Sequence, residues 1–270
     1  MSIKNRIVVI TDCTDIAANE IRAVLISELE KINKIDSVEV EPFIHAKEFS
    51  LVNGAFLVRL MADNYRPNTT TFLVVLNPLK TNRIDRARIL GKTKNGFRFV
   101  GENTGVFGWL IQEFGLNEIY EFGKKGLDGK GFVSFGGKYI HSPVAARVAS
   151  GIDLSLLGSR FNKARVTNIS FPEGTVLHID NFGIPKIYKE IPEELKEGTI
   201  VEIIVNGIKR LEAVYTHSMK NLPDNTWALY KGSSLNNLSE IGKVRSLNTQ
   251  NELGISVGDV IQWNPLNNSR

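Results

Sequence analysis

Apolar positions along the first half of the chain alternate between two periods. Arg6 to Asp12, RIVVITD, is a continuous apolar run, the pattern of a strand buried on both faces. Behind it, Ile16 to Lys31 places Ile21, Val24, Leu25 and Leu29 at helical spacing. Ser37 to Ile44 reads as a second strand, Gly54 to Tyr65 as a helix and Thr70 to Leu76 as a third strand. Arg86 to Val100 reads as a hairpin turning at Lys94-Asn95-Gly96, and Thr104 to Phe114 and Ser142 to Ala149 as helices. This βαβαβ order predicts an α/β domain with a mostly parallel sheet and flanking helices.

From about Phe171 the periodicity changes. Thr175 to Asp180, Thr199 to Val205, Arg210 to Thr216, Thr226 to Tyr230 and Val260 to Trp263 are short β-rich runs separated by turn residues, with one helical turn expected at Pro192 to Leu195. The predicted organisation is an α/β domain over 1–160, a linker over 161–170 and a smaller β-rich domain over 171–270. No internal repeat or low-complexity segment interrupts it.

Composition narrows the function classes. With 270 residues, 42% of them hydrophobic and 23% charged, the chain has the make-up of an ordinary globular protein. The net charge of +4 does not mark a nucleic-acid binder, because 33 basic residues are scattered among 29 acidic ones and form no five-residue block. No apolar stretch approaches the roughly 20 residues that cross a bilayer, so no membrane partner is expected. The first residues, MSIKNRIVVITD, carry no signal-peptide pattern, and the single Cys13 excludes an internal disulfide and a cysteine-based zinc site. Both features predict a cytoplasmic protein.

Candidate chemistry sits at predicted strand ends, where open α/β sheets present their loops. Three qualify: Asp12 with Cys13 and Thr14, His45, and Asn77 with Pro78. Asp12 is a carboxylate able to accept two hydroxyls of a ribose diol, or else Asp12, Thr14 or Asp15 caps the following helix. His178 and Asp180 alternate with Leu177 and Ile179 and so share one side of a strand, where His178 reads as a structural residue. His141 reads as part of a helix start, and His217 carries no signal. The four His are separated and give no metal motif. No GxGxxG follows the first strand and no GxxxxGK[ST] occurs, which argues against dinucleotide and P-loop chemistry; the GxSxG match in GISVGD, Gly254 to Gly258, reads as a turn between strands and not as the strand-to-helix elbow of a serine hydrolase.

Six segments carry a resemblance. ITDCTDIAANEIRAVL, FLVVLNPLKTNR, FVGENTG, FVSFGGKYIHSPVAARVASG, GTVLHIDNFG and LNTQNELGISVGDVI resemble, in order and spacing, segments of the S-adenosylmethionine hydroxide adenosyltransferase family. The nucleoside fluorinases and chlorinases belong to the same superfamily. The resemblance runs from about Arg6 to Trp263. It implies an α/β domain followed by a β-barrel-like domain, a homotrimer with the nucleoside held between subunits, and displacement of methionine at ribose C5′. S-adenosylmethionine is then a substrate, with no metal and no further cofactor.

Asp12 matches the family's ribose-binding Asp, Asp180 the Asp that contacts the methionine amino group, Phe182 an aromatic near adenine, and Asn248 a turn that meets adenine through its backbone. In hydrolase members an Asp, an Arg and a His hold water. Here Asn77 stands at the Asp position, Leu79 and Lys80 follow Pro78 in place of Gly-Val, and Gly136 stands at the His position. Ile184 replaces an adenine-contacting Asn. An Asn is no carboxylate base and a Gly has no side chain, so the hydrolase set is incomplete. The expected nucleophile-positioning groups are Asn77, Lys80, which would favour an anion, and Arg83, with Arg86 within reach of the same region. The enzyme reading stands beside two others: a protein that binds S-adenosylmethionine or adenosine without turnover, and an interaction scaffold with a vestigial pocket.

Overall fold

The computed structural model describes residues 4–77, 86–123, 134–235, 237–246 and 249–266. The backbone clusters into two compact units, Met1–Ile169 and Ser170–Arg270.

The first unit runs β1 (Asn5–Thr11), α1 (Asp15–Lys31), β2 (Val38–Val40), β3 (Ile44–His45), α2 (Leu51–Ala62), β4 (Thr70–Val75), β5 (Arg88–Thr93), β6 (Arg98–Glu102), α3 (Gly108–Phe114), β7 (Leu116–Glu121), α4 (Ser142–Ala149) and β8 (Ser159–Arg160). The sheet order is β2-β1-β4-β6-β5-β7-β8, with β3 also on β1. β1 pairs in parallel with β2, β3 and β4, and β4 with β6. β5 is antiparallel to β6 and β7, and β7 to β8.

The parallel strands are the apolar runs of the sequence. Every residue of β4 is buried, as is β1 from Ile7 to Thr11. Helix α1 packs on α4, and α2 on α3. Ile21, Leu25 and Leu29 of α1 and Val144, Ala145 and Val148 of α4 share one core with Val9, Leu73 and Val100. A fully buried Leu such as Leu25 contributes about 1.5–3 kcal/mol.

Several elements differ from the expectation, among them α3, which starts at Gly108 rather than Thr104. The predicted second strand divides into β2 and β3 around Pro42, which has no N–H for a ladder; the two pieces pair with opposite ends of β1. Helix α2 starts at Leu51 rather than Gly54 because the Ser50 side chain accepts the Asn53 amide at 3.2 Å. LNEIYE becomes β7, a strand that local pattern did not mark and that β5 pairs along its length.

The second unit runs β9 (Val176–Ile179), β10 (Pro185–Glu190), β11 (Ile200–Val205), β12 (Lys209–Tyr215), β13 (Trp227–Lys231), β14 (Leu238–Lys243), α5 (Thr249–Leu253) and β15 (Ile261–Pro265). Its sheet order is β15-β11-β12-β13-β14-β10-β9. The sheet curls until its outer strands meet. Thr175 bridges Val260, the Val176 amide donates to Asp259 O at 2.8 Å, and the Ile261 amide donates to Gly174 O at 2.8 Å. Gly174 makes this closure possible: its φ is +90°, and a Cβ there would lie 2.5 Å from Ile261 O. Val176, Ile187, Val201, Ile203, Leu229, Ile241 and Trp263 share the interior core. The Pro192 to Leu195 stretch is a turn, closed by the Leu195 amide on Pro192 O, and does not reach a helix. Strands β10 and β14 were not marked by the pattern, since Lys186, Lys189 and Glu240 dilute their apolar alternation.

Candidate functional site

The C-terminal ends of β1, β4 and β6, with the turn that enters α4, enclose a cavity of about 230 Å³. Asp12 and Cys13 come from the end of β1, residues 74–77 from β4 and Glu102 from β6, while Arg86 precedes β5. Phe135, Gly136, Gly137 and His141 come from the turn before α4. This is where parallel strands release their loops and where ligands settle in open α/β sheets. The volume falls below the roughly 300–1,000 Å³ of drug-sized ligand sites, so by itself the cavity has room for only part of a ligand of that size.

Asp12 organises the polar side. Its carboxylate accepts the Asn77 amide at 3.0 and 3.2 Å and the Phe49 amide at 3.1 Å. It therefore ties together the ends of β1 and β4 and the segment before α2. The cap of α1 is Thr14, without a side-chain cap bond, so capping is not the work of Asp12. Phe49 has φ +60°, a left-handed conformation that costs a side-chain-bearing residue roughly 1–2 kcal/mol. In that conformation its amide reaches the carboxylate. A carboxylate has about four acceptor positions, and two amides leave capacity for ligand hydroxyls.

The opposite wall is a π turn, Gly137–His141, of a kind that recurs at functional sites. The Ser142 hydroxyl donates to Gly137 O at 2.7 Å. A Cβ on Gly137 would lie 2.4 Å from Val75 Cγ1, so glycine lets this turn close on the end of β4. At the last position of the turn His141 is 4% exposed, with its ring edge-on to Phe122 at 5.6 Å. Neither ring nitrogen has a hydrogen-bond partner among the described residues. A buried polar atom left unsatisfied costs about 1–3 kcal/mol, so this ring is an expensive feature. Burial, then the positive charges of Arg88 and Arg86, push its pKa down to about 3 and keep the imidazole neutral at ordinary pH. Arg86 pairs with Glu102 at 2.7 Å beside the cavity. Lys138 turns away from it and pairs with Glu20 at 2.6 Å.

Asp12 and Asn77 are thus brought together, with the backbone amide of Asn77 as the group in contact. Lys80, Arg83 and Asn248 lie outside the described residues. Asp180 and Phe182 belong to the second unit. There Asp180 Oδ1 accepts the Phe182 and Ile184 amides, both at 2.9 Å, closing the turn between β9 and β10, and Phe182 is 52% exposed. His178 is half-buried, and burial followed by the nearby Lys186 lowers its pKa. His45 is exposed on β3, away from the cavity lining. His141 does sit at a helix start, as the sequence indicated, but it also ends a π turn and lines the cavity, and nothing in His141-Ser142-Pro143 reports that turn. Among the described residues no group of three or more His, Cys, Asp and Glu is placed to hold a metal ion, and no helix is long and apolar enough to cross a membrane.

The chain thus combines an α/β unit, with a cavity at its parallel strand ends, and a curled β unit. Residues 7–158 match the model of the SAM hydroxide adenosyltransferase N-terminal domain, more than half of the chain, and the protein belongs to that family. It is 26% identical over 182 residues to the (R)-S-adenosyl-L-methionine hydrolase of Methanocaldococcus jannaschii, a match covering 65% of this chain and 64% of that one. The chain thus spans somewhat under two thirds of that relative's length. Its fold is similar to the crystal structure of an uncharacterized conserved protein from Thermotoga maritima, with TM-score 0.79 and 22% identity over 96% of this chain and 100% of that one. A conserved hypothetical protein from Thermus thermophilus follows with TM-score 0.68 and 17% identity over 97% and 100%. These two likenesses bear on the fold alone.

Proposed function

We propose that the protein displaces methionine from S-adenosylmethionine by attack of water, or of another small nucleophile, at ribose C5′. The observation that carries this reading is the cavity at the strand ends, whose carboxylate, Asp12, retains acceptor capacity within the segment shared with the family. In the hydrolytic case the water oxygen forms the bond to C5′, the C5′–S bond breaks with its electron pair going to sulfur, and a proton is released. A sulfonium is already a good leaving group, so the protein's contribution is orientation and a partly desolvated nucleophile. Asp12 holds the ribose hydroxyls on this reading, and Asn77, Lys80 and Arg83 place the nucleophile. S-adenosylmethionine is the substrate and no further cofactor enters. The same proposal includes a homotrimer, testable by light scattering, and ligand contacts by Asp180, Phe182 and Asn248.

The test is incubation of purified protein with S-adenosylmethionine, with methionine and adenosine followed by chromatography and a parallel melting curve. Many turnovers of product support the proposal. A second reading, binding without turnover, is favoured by Asn77 and Gly136 standing where hydrolase members resembling this chain carry an Asp and a His. It predicts a saturable rise in melting temperature with no product, because a ligand that binds only the native state stabilises it.

A further inference from the structure

We propose that His141 is a ligand-contacting residue of this cavity, and that its imidazole orients the hydroxylic nucleophile. The inference rests on the adenosyl-transfer reading for the identity of the nucleophile, but its geometry stands by itself. His141 lines the cavity, is 4% exposed and leaves both ring nitrogens without a partner among the described residues. A neutral imidazole accepts one hydrogen bond and donates another, which is the complement of a hydroxyl or a water.

Both ring nitrogens are buried, and the residue borders the cavity beside Gly136. A Cβ built on Gly136 would lie 3.9 Å from His141 Cε1, the carbon between the two nitrogens, and 3.9 Å from a terminal nitrogen of Arg88. Glycine at 136 therefore places no side chain against that edge, and any larger side chain would start towards it. Phe122 packs against the ring at 83° between planes. Buried polar side chains without a protein partner call for a ligand or a water. His141 belongs to the lining of the cavity that contains Asp12 and Asn77.

In the transfer step His141 accepts the O–H of the attacking water and holds its oxygen towards C5′. The new C5′–O bond forms as the C5′–S bond breaks with its pair going to sulfur. The proton of the new hydroxyl passes to solvent, since two neighbouring guanidinium groups disfavour an imidazolium. His141 is thus an orienting group that contacts the nucleophile and is not its final proton acceptor.

The test combines turnover with a readout that needs none. Protein labelled with nitrogen-15 in histidine is titrated with adenosine, whose 5′-hydroxyl occupies the nucleophile's place, and the ring signals are assigned by their loss in His141→Gln. The His141 ring signals are expected to move with adenosine, and to stay fixed in Gly136→Leu, which covers the ring edge and leaves His141 in place. With S-adenosylmethionine, His141→Phe is expected to lower kcat by about 100-fold while KM changes little, and His141→Gln, which keeps a donor and an acceptor, to recover part of the loss. Movement of the His141 signals without turnover of S-adenosylmethionine would uphold the contact and overturn the hydrolysis reading. Turnover by His141→Phe at the wild-type rate, with the His141 signals unmoved by adenosine, would overturn the inference and leave that reading standing.

Discussion

Asp12 in the first unit and Asp180 in the second both spend their carboxylates on two backbone amides, yet they do so at different range. Asp12 draws on Phe49 and Asn77, distant in the chain, and stands in a cavity. Asp180 draws on Phe182 and Ile184 within its own turn. The contrast follows from sheet type. Parallel strands end together and release loops from distant segments side by side, whereas antiparallel neighbours are joined by turns that satisfy themselves. Polar capacity left over for a ligand therefore accumulates at the ends of β1, β4 and β6.

The sharpest way to break this comparison is to remove each carboxylate. Asp12→Ala is expected to lower the rate of product formation from S-adenosylmethionine by at least about 100-fold, because on the proposed reading it loses a substrate contact, and it frees the ends of β1 and β4 and the segment before α2. A rate within twofold of wild type would contradict the assignment. Gly174→Ala comes next: its positive φ and the approach to Ile261 O predict about 2–3 kcal/mol of destabilisation in urea unfolding, located in the curled sheet.

A third effect belongs to His141 alone. Its pKa of about 3 lies below the 6.5 of an unfolded His, so between these values the unfolded chain binds a proton that the folded chain refuses. Its contribution to stability is complete above pH 6.5 and is lost as pH falls towards 3, at about 1 kcal/mol per pH unit. Carboxylates add their own slope, so the check is the difference between wild type and His141→Phe, whose curve is expected to be flatter in this window. Identical slopes would count against a buried neutral ring. Asp180→Ala follows at about 1 kcal/mol of stability through its turn amides, and any larger loss of ligand affinity would give it the binding role implied by the resemblance. Smallest is Arg86→Gln, which breaks a partly exposed ion pair with Glu102 and is expected to shift stability by about 0.5 kcal/mol.

The α/β character of the first unit and the change to a β-rich second unit were legible because continuous apolar runs, such as IVVI and TFLVV, identify buried parallel strands, and short runs between turn residues mark further strands, without tertiary information. Strands that carry charged residues among their apolar ones, β10 and β14, were not, since pairing rather than local pattern makes them. The same limit divides the site. Asp12 and Asn77 could be picked out as strand-end residues, but the amides that occupy Asp12 come from segments 37 and 65 residues away. The orientation of His141 depends on a π turn held against β4 by the absence of a side chain at Gly137, and residue type alone does not report that contact.

The most direct test of adenosyl transfer at this cavity is to run the reaction in heavy-oxygen water and analyse the nucleoside by mass spectrometry, for wild type and Asp12→Ala side by side. Heavy oxygen in the adenosine made by wild type, with product falling away in Asp12→Ala, is the predicted result. Stabilisation by S-adenosylmethionine with no labelled or substituted adenosine, or equal labelled product from both proteins, would contradict it.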